Sequence, residues 1–106
     1  MDKIAKIKGS LRELGITKDL NGYHYIVKAA TMINEDVDKG VIPRGITTLC
    51  REIGNHFDVT PSSVERCMRH CIEVAKRNNS TFFDTLFGNI KKVTVSNFVS
   101  VIADQT

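Results

Sequence analysis

Two amphipathic segments near the middle of the chain are separated by only three residues, "DVT" at 58–60. The first segment is predicted to be a helix over about Thr47 to Phe57, and the second begins after Thr60. Thr60 is a favourable N-cap, and Pro61 suits the first helical turn because its missing N–H costs nothing there. A connection this short brings the two helices into contact, so the pattern predicts a helix-turn-helix over about 47–77.

The residues around this turn agree with that prediction. Gly54 supplies the small residue that is needed where the two helices cross, and Val59 and Val64 supply apolar side chains that lock the corner. Asp58 occupies the turn position where glycine is common, and aspartate tolerates left-handed backbone less well than glycine. Any helical hairpin with a short polar turn has a similar pattern, so the turn alone is a moderate signal.

Apolar residues recur at intervals of three and four along most of the chain, which is typical of helices with one buried face. A first helix is predicted to end at Gly15, and a second to begin with Asn21 as its cap and to end near Gly40, before a connector at 40–45. The expected inward residues of these two helices and the third are Ile4, Ile7, Leu11, Leu14, Tyr23, Ile26, Val27, Ala30, Ile33, Val37, Leu49, Cys50, Ile53 and Phe57.

The C-terminal part of the chain predicts two further helices, over 80–88 and 96–105, with Ser96 as the cap of the second. The expected inward residues of the last helix are Phe98, Val99 and Ile102. The run "VTV" at 93–95 has strand character, but a lone strand has no partner here. The predicted class is therefore all-α, a compact bundle of about six helices forming a single domain over 1–106.

The composition sets broad limits on function. The chain has 106 residues, of which 42% are hydrophobic and 25% charged, enough for one modest core. A net charge of +3 permits nucleic acid as a partner without requiring it. No membrane association is expected, because no apolar run is long enough to cross a bilayer. Three cysteines without a secretion signal indicate reduced thiols and a cytoplasmic protein.

The helix that begins at Pro61 has one apolar and one polar face at 100° per residue. The apolar face comprises Val64, Cys67, Met68, Cys71, Ile72 and Ala75. The polar face comprises Ser62, Ser63, Arg66, Arg69, His70, Glu73, Lys76 and Arg77, with Glu65 near the border. In a helix-turn-helix the second helix lies in the DNA major groove. The alternative is a solvated charged face on an ordinary helical bundle.

Three stretches carry a resemblance to a known family: "LRELGITKDLNGYHYIVKAATMI" (11–33), "FDVTPSSVERCMRHCIEVA" (57–75) and "LFGN…SNFVSVIADQ" (86–105). In this order they closely resemble the DNA-binding effector domain of the sporulation stage-zero response regulator. The most specific part is V-E-R-x-x-R-H within "SVERCMRHCIEVA".

This resemblance implies a six-helix domain that reads a short DNA box and regulates sporulation genes. The residues that match DNA-facing positions are Glu65, Arg66, Arg69 and His70. The family usually carries a basic residue where this chain has Ser63. In the loop before the last helix, Lys91 and Lys92 are placed to reach phosphate. The resemblance further implies RNA polymerase as a partner, a second copy on an adjacent box, and a receiver domain ahead of the effector domain.

The residue types suggest individual roles. Arg66 is the first choice for reading guanine, because a guanidinium fork matches the O6 and N7 acceptors. Arg69 and His70 are expected to contact bases or phosphates, and Ser62 and Ser63 are expected to bind phosphate with free backbone N–H groups at the helix start.

Glu65 has two possible roles. It stands four residues before Arg69, the favourable order for a helix-stabilising ion pair. It can also accept a hydrogen bond from cytosine N4 and penalise bases that present acceptors.

Other chemistries fit less well. Cys67, His70 and Cys71 are close on one helix and Cys50 lies on its neighbour, but His70 points away from the cysteines, so no metal site is predicted. The other two histidines have no acid or thiol at catalytic spacing, and no nucleophile motif is present, so neither an enzyme nor a cofactor is predicted.

The remaining alternative is a protein-interaction module whose Arg66, Arg69 and His70 face meets an acidic partner. Three phenylalanines at helical spacing are predicted to lie in the core rather than to stack on bases: Phe82, Phe83 and Phe87.

Overall fold

The computed structural model describes residues 3–78, 80–88 and 92–105. Within these ranges the chain forms six α-helices and no strand, which confirms the all-α prediction. The helices are α1 (Lys3–Glu13), α2 (Asn21–Asp38), α3 (Ile46–Phe57), α4 (Pro61–Asn78), α5 (Ser80–Phe87) and α6 (Val95–Asp104). None of the helices in the described ranges has the length and apolar character needed to cross a membrane.

Helix α2 lies at the centre of the bundle and packs against α1, α3, α4 and α6. Its inner face presents small and branched side chains, among which Ile26, Ala29 and Ala30 are fully buried. Small side chains on this face let the neighbouring helices approach closely, and the apolar area removed from water stabilises the bundle.

Gly22, in the first turn of α2, lies very close to α4. A Cβ atom on Gly22 would lie 2.3 Å from the backbone oxygen of Cys67 and 2.5 Å from Cys71 Sγ. Both cysteines belong to α4, so only a residue without a side chain lets α2 and α4 pack at this distance. This contact sets the position of α4 relative to the rest of the bundle.

The corner between α3 and α4 has the predicted local geometry. Asp58 adopts a left-handed conformation, with φ 59° and ψ 49°, and the N–H groups of Asp58 and Val59 both donate to the Gly54 carbonyl. A Cβ atom on Gly54 would lie 2.6 Å from the Val59 oxygen, so the corner requires glycine there. Thr60 Oγ1 accepts from the Ser63 N–H at 3.1 Å, which confirms Thr60 as the cap of α4.

A partly buried ion-pair network that the sequence did not predict joins α2, the connector and α3. The Arg44 guanidinium donates to both carboxylate oxygens of Asp36, at 2.6 and 2.8 Å, and to Glu52 at 2.6 Å. The backbone N–H of Arg44 also donates to Asp36. Asp36 is the buried charged residue of the described chain, with 5% of its surface exposed. Hydrogen bonds from Arg44 hold the pKa of Asp36 well below its ordinary value.

Two predicted caps were wrong. Asn21 is the first helical residue of α2, and the N-cap position is occupied by Leu20, whose side chain makes no capping bond. In α6 the cap is Thr94 rather than Ser96, and Thr94 Oγ1 accepts from the Asn97 N–H at 3.1 Å. The run at 93–95 therefore leads into a helix and is not a strand.

Three residues predicted to face inward are exposed. Val37 is 56% exposed because it lies in the last turn of α2, beyond the reach of the neighbouring helices. Ile4, 40% exposed, lies in the first turn of α1. Phe57, at the end of α3, is 38% exposed, although one side of its ring packs 5.2 Å from the ring of Tyr25.

Three aromatic residues of the C-terminal part were predicted to lie in the core, and two of them are buried there. Phe83 and Phe87 are buried, and the Phe87 ring stacks on Phe98 at 5.2 Å. Phe82 is half-buried and packs against the edge of the core. These contacts join α5 to α6.

Replacing Gly22 with alanine is expected to lower the free energy of unfolding by about 1–3 kcal/mol, because the added methyl group overlaps the backbone of α4. Urea unfolding followed by circular dichroism measures the change. The matched control is Gly9→Ala in α1, where an added Cβ meets nothing within 4 Å and helix propensity predicts a gain of up to about 1 kcal/mol. A Gly22→Ala protein as stable as the parent would contradict the close α2–α4 contact.

The Asp36 network is expected to make folding sensitive to acid. Since the pKa of Asp36 is lower in the folded chain than in the unfolded one, its contribution is present above about pH 4 and is lost as pH falls below that value. Asp36→Asn should therefore be less stable than the parent at pH 7 and should lose less stability between pH 7 and pH 3. The control is Asp38→Asn, an exposed carboxylate paired with Lys3. Equal pH dependence of stability in the two variants would show that Asp36 does not make folding more sensitive to acid than an exposed carboxylate does.

Candidate nucleic-acid interface

The predicted division of α4 into two faces is confirmed, with one exception. Its inner residues, Val64, Met68, Cys71, Ile72 and Ala75, are buried. The side chains of Glu65, Arg66, Arg69 and His70 are exposed on the opposite face. The exception is Cys67, which is only half-buried because it lies where the two faces meet. The structure thus presents the four predicted DNA-facing residues together on one exposed surface, which we call the α4 face.

The acid on the α4 face is engaged with its predicted partner. Arg69 donates to Glu65 Oε1 at 2.6 Å, one helical turn apart. The two side chains are 62% and 48% exposed, so water screens the pair and it stabilises the helix by only about 0.3–0.5 kcal/mol. The pair places both side chains on the same side of α4.

A pocket of about 460 Å³ flanks the α4 face on the side of α2. Arg66, Cys67 and His70 form one wall, and residues 19–22 at the start of α2 form the other. The close packing at Gly22 creates this arrangement by drawing the start of α2 against α4. Arg66 and His70 therefore project from the border between two helices.

A second pocket, of about 300 Å³, flanks the α4 face on the side of α6. Arg69, Glu73 and Lys76 of α4 line it together with Lys92 and the start of α6. The predicted residues Arg69 and Lys92 are thus brought to one site, although 23 positions separate them in the sequence. Lys91 lies outside the described residues.

Lys76 was not predicted as a site residue, although its spacing from Arg69 in the sequence indicates that it belongs to the site. It lies on the same side of α4 as Arg69, seven residues further on, which is two helical turns. Lys76 lines the same groove as Arg69 and Lys92, and its ammonium lies 5.9 Å from the centre of the Phe83 ring.

The two serines at the start of α4 differ in what they offer. Ser62 is exposed and lines a small pocket with Thr47, Pro61 and Glu65. The backbone N–H of Ser63 donates to Thr60 Oγ1, so the prediction that this N–H is free for phosphate was wrong. The capping hydroxyl of Thr60 takes the donor that an anion would otherwise use.

The cysteines are free and do not converge on a metal-binding arrangement. Cys50 and Cys71 are buried, and burial raises the pKa of the Cys71 thiol to about 12, so it remains protonated. His70 points to the exposed face of α4 while Cys71 points to the core. No group of three or more potential metal ligands occurs among the described residues.

A comparison with protein-family models supplies independent information on this surface. The family described as "Sporulation initiation factor Spo0A C terminal" matches residues 7–106, nearly the whole chain and all of the α4 face.

Proposed function

Because the chain belongs to the family of Spo0A C-terminal domains, we propose that it binds double-stranded DNA in a sequence-specific manner and regulates the transcription of sporulation genes. The family consists of DNA-binding regulatory domains, the effector domains of sporulation response regulators, and it binds DNA at 0A boxes. We further propose that α4 of this chain performs the recognition step. Residues 1–106 then form one effector domain without catalytic activity.

The observation that carries the proposal is the α4 face. Three hydrogen-bond donors, on Arg66, Arg69 and His70, are exposed within two turns of a helix that follows a tight corner. An α-helix fits the major groove of B-DNA, whose base edges distinguish all four base pairs. A face of this kind needs no rearrangement to meet a groove, and the buried side of α4 fixes its direction.

The individual roles follow from side-chain chemistry and position. Arg66 reads guanine through two parallel hydrogen bonds to O6 and N7. His70, one turn further along on the same side, contacts a neighbouring base or phosphate. Arg69, held by Glu65, has donors left over for a base or a phosphate. The hydroxyl groups of Ser62 and Ser63 contact phosphate at the start of the helix.

We assign Lys92 and Lys91 to the DNA backbone rather than to the reading of its sequence. Lys92 stands in the groove beside Arg69, and Lys91 precedes it in the chain. An ammonium is a point charge without the fixed geometry of a guanidinium, so it suits phosphate.

Two partners besides DNA belong to the proposal. A second copy of the chain occupies an adjacent box, and RNA polymerase is contacted at the promoter, as the family resemblance implies.

The proposal is tested by titrating the protein against a duplex that contains a 0A box and against a scrambled duplex, at several salt concentrations. We expect the box to bind at least about a thousandfold more tightly. Both affinities should fall steeply with salt because bound counterions are released. Equal affinity for the two duplexes would refute sequence-specific binding. An absence of DNA binding would favour the protein-interaction module instead.

Replacing Arg66 with alanine is expected to weaken binding to the box by about 1–3 kcal/mol and to flatten the preference at one base pair. The matched control is Arg77→Ala, which removes the same charge from the far end of α4. Competition with duplexes carrying each base at each position measures the preference. A uniform loss for all sequences would show that Arg66 contacts only phosphate.

Replacing Glu65 with alanine is expected to weaken binding to the box while leaving affinity for random DNA unchanged or higher. The carboxylate repels phosphates and acceptor-bearing bases wherever the protein binds, but accepts from cytosine N4 at the correct site. Glu73→Ala, on the same helix, removes the same charge and serves as the control. If both affinities fall together with helix content, Glu65 acts only as the helix-stabilising partner of Arg69.

A further inference from the structure

Two adjoining pockets lie where α1, the α1–α2 connection and α2 meet. The first, of about 290 Å³, has Tyr23, Val27 and Phe57 in its lining together with Lys8, Lys18 and Lys28. The second, also of about 290 Å³, has Arg12 and Ile16 in its lining and shares Lys18 and Tyr23 with the first. Because two residues line both pockets, they form one continuous depression, which we call the α1–α2 groove.

The apolar part of the α1–α2 groove is held by the core and remains open to water. Tyr23 and Val27 are half-buried and pack against the core, and Phe57 is 38% exposed. A hydrogen bond of 2.8 Å from His24 Nε2–H to the Lys18 carbonyl ties the connection to α2. The groove is therefore a formed surface whose apolar side chains have room for a further contact.

The charge of the α1–α2 groove is positive. Its four cations, Lys8, Arg12, Lys18 and Lys28, take part in none of the ion pairs between described residues. The acids that follow two of them in the sequence, Glu13 and Asp19, line neither pocket. Among the described residues that line the groove, none is acidic, so its positive charge is open to an anionic partner.

The α1–α2 groove lies on the side of α2 that is turned away from α4. At about 100° per residue, Tyr23, His24, Val27 and Lys28 lie about 100–240° around the helix from Gly22. Gly22 is the residue that contacts the backbone of α4. A partner in the groove would therefore approach from a different direction than a ligand of the α4 face.

The combination of an apolar centre with charged residues fits a protein partner better than a nucleic acid. Protein interfaces have apolar, often aromatic, centres and polar rims, and a few anchoring side chains supply most of the affinity. A phosphate backbone could pair with the lysines, but it has no apolar group to place against Tyr23, Val27 and Phe57. An acidic segment with one large apolar side chain satisfies both parts of the groove.

We propose that the α1–α2 groove is a docking site for an acidic protein segment. The segment places one aromatic or branched aliphatic side chain against Tyr23, Val27 and Phe57, and its carboxylates pair with the lysines and Arg12. This inference does not rest on the proposed function, because none of the residues of the groove is assigned to DNA.

The test selects peptides that bind the purified chain from a random library of twelve-residue peptides displayed on phage. Enriched peptides are synthesised, and their affinities are measured for the parent and for two double variants that lose the same charge. Lys8→Gln with Lys18→Gln changes two exposed lysines of the groove, and Lys6→Gln with Lys39→Gln changes two exposed lysines outside it. Circular dichroism verifies that both variants fold.

We expect the enriched peptides to carry several Asp or Glu residues around one large apolar residue. The groove variant should bind them at least about fivefold more weakly than the parent, and the control variant within about twofold. Replacing the apolar residue of the peptide with alanine should cost at least about tenfold in affinity.

Three outcomes would overturn the inference. The first is a selection that enriches no peptide, or only peptides without acidic residues. The second is equal affinity of the enriched peptides for the two variants, which would place the acidic peptides elsewhere, such as on the α4 face. The third is displacement of the peptides by scrambled duplex DNA together with weaker DNA binding by the groove variant alone, which would assign the groove to nucleic acid.

Discussion

The contact between Gly22 of α2 and the backbone of α4 governs what the rest of the molecule can present. It lets the first turn of α2 lie against Cys67 and Cys71, which buries one face of α4 and directs the other outwards. The corner at Gly54 fixes the start of α4 by locking it to α3. Held at its start and near its middle by positions that tolerate only glycine, α4 keeps its exposed donors in one direction.

The exposed face of α4 carries charges of both signs. An acid among basic residues weakens the general attraction to DNA, which is the part of binding that carries no sequence information. Glu65 and Arg69 form an ion pair in the free protein, so this acid already has an arginine partner on the exposed face. Arg69 and Lys92 line one pocket beside α4, so their positive charge lies at the edge of the exposed face.

Local patterns predicted the elements and the α4 face well, because helix periodicity and the "DVT" turn depend on neighbours in the sequence. The predicted caps of α2 and α6 were misplaced by one and two residues. The N-cap of α2 is Leu20, whose side chain makes no capping bond, and the N-cap of α6 is Thr94 rather than Ser96. The network of Asp36 with Arg44 could not be predicted, because it depends on how the connector folds back. The meeting of Arg69 with Lys92 likewise depends on tertiary packing.

In the function proposed above, the exposed face of α4 reads one DNA sequence. Selection of bound duplexes from a random pool, using the purified chain, tests it most directly because it presupposes no box. If α4 reads a sequence, successive rounds of selection will enrich one short motif, with guanine at the fixed position that Arg66 recognises. A pool that stays random while still binding the protein would contradict the claim, and would reduce the α4 face to a surface for phosphate alone.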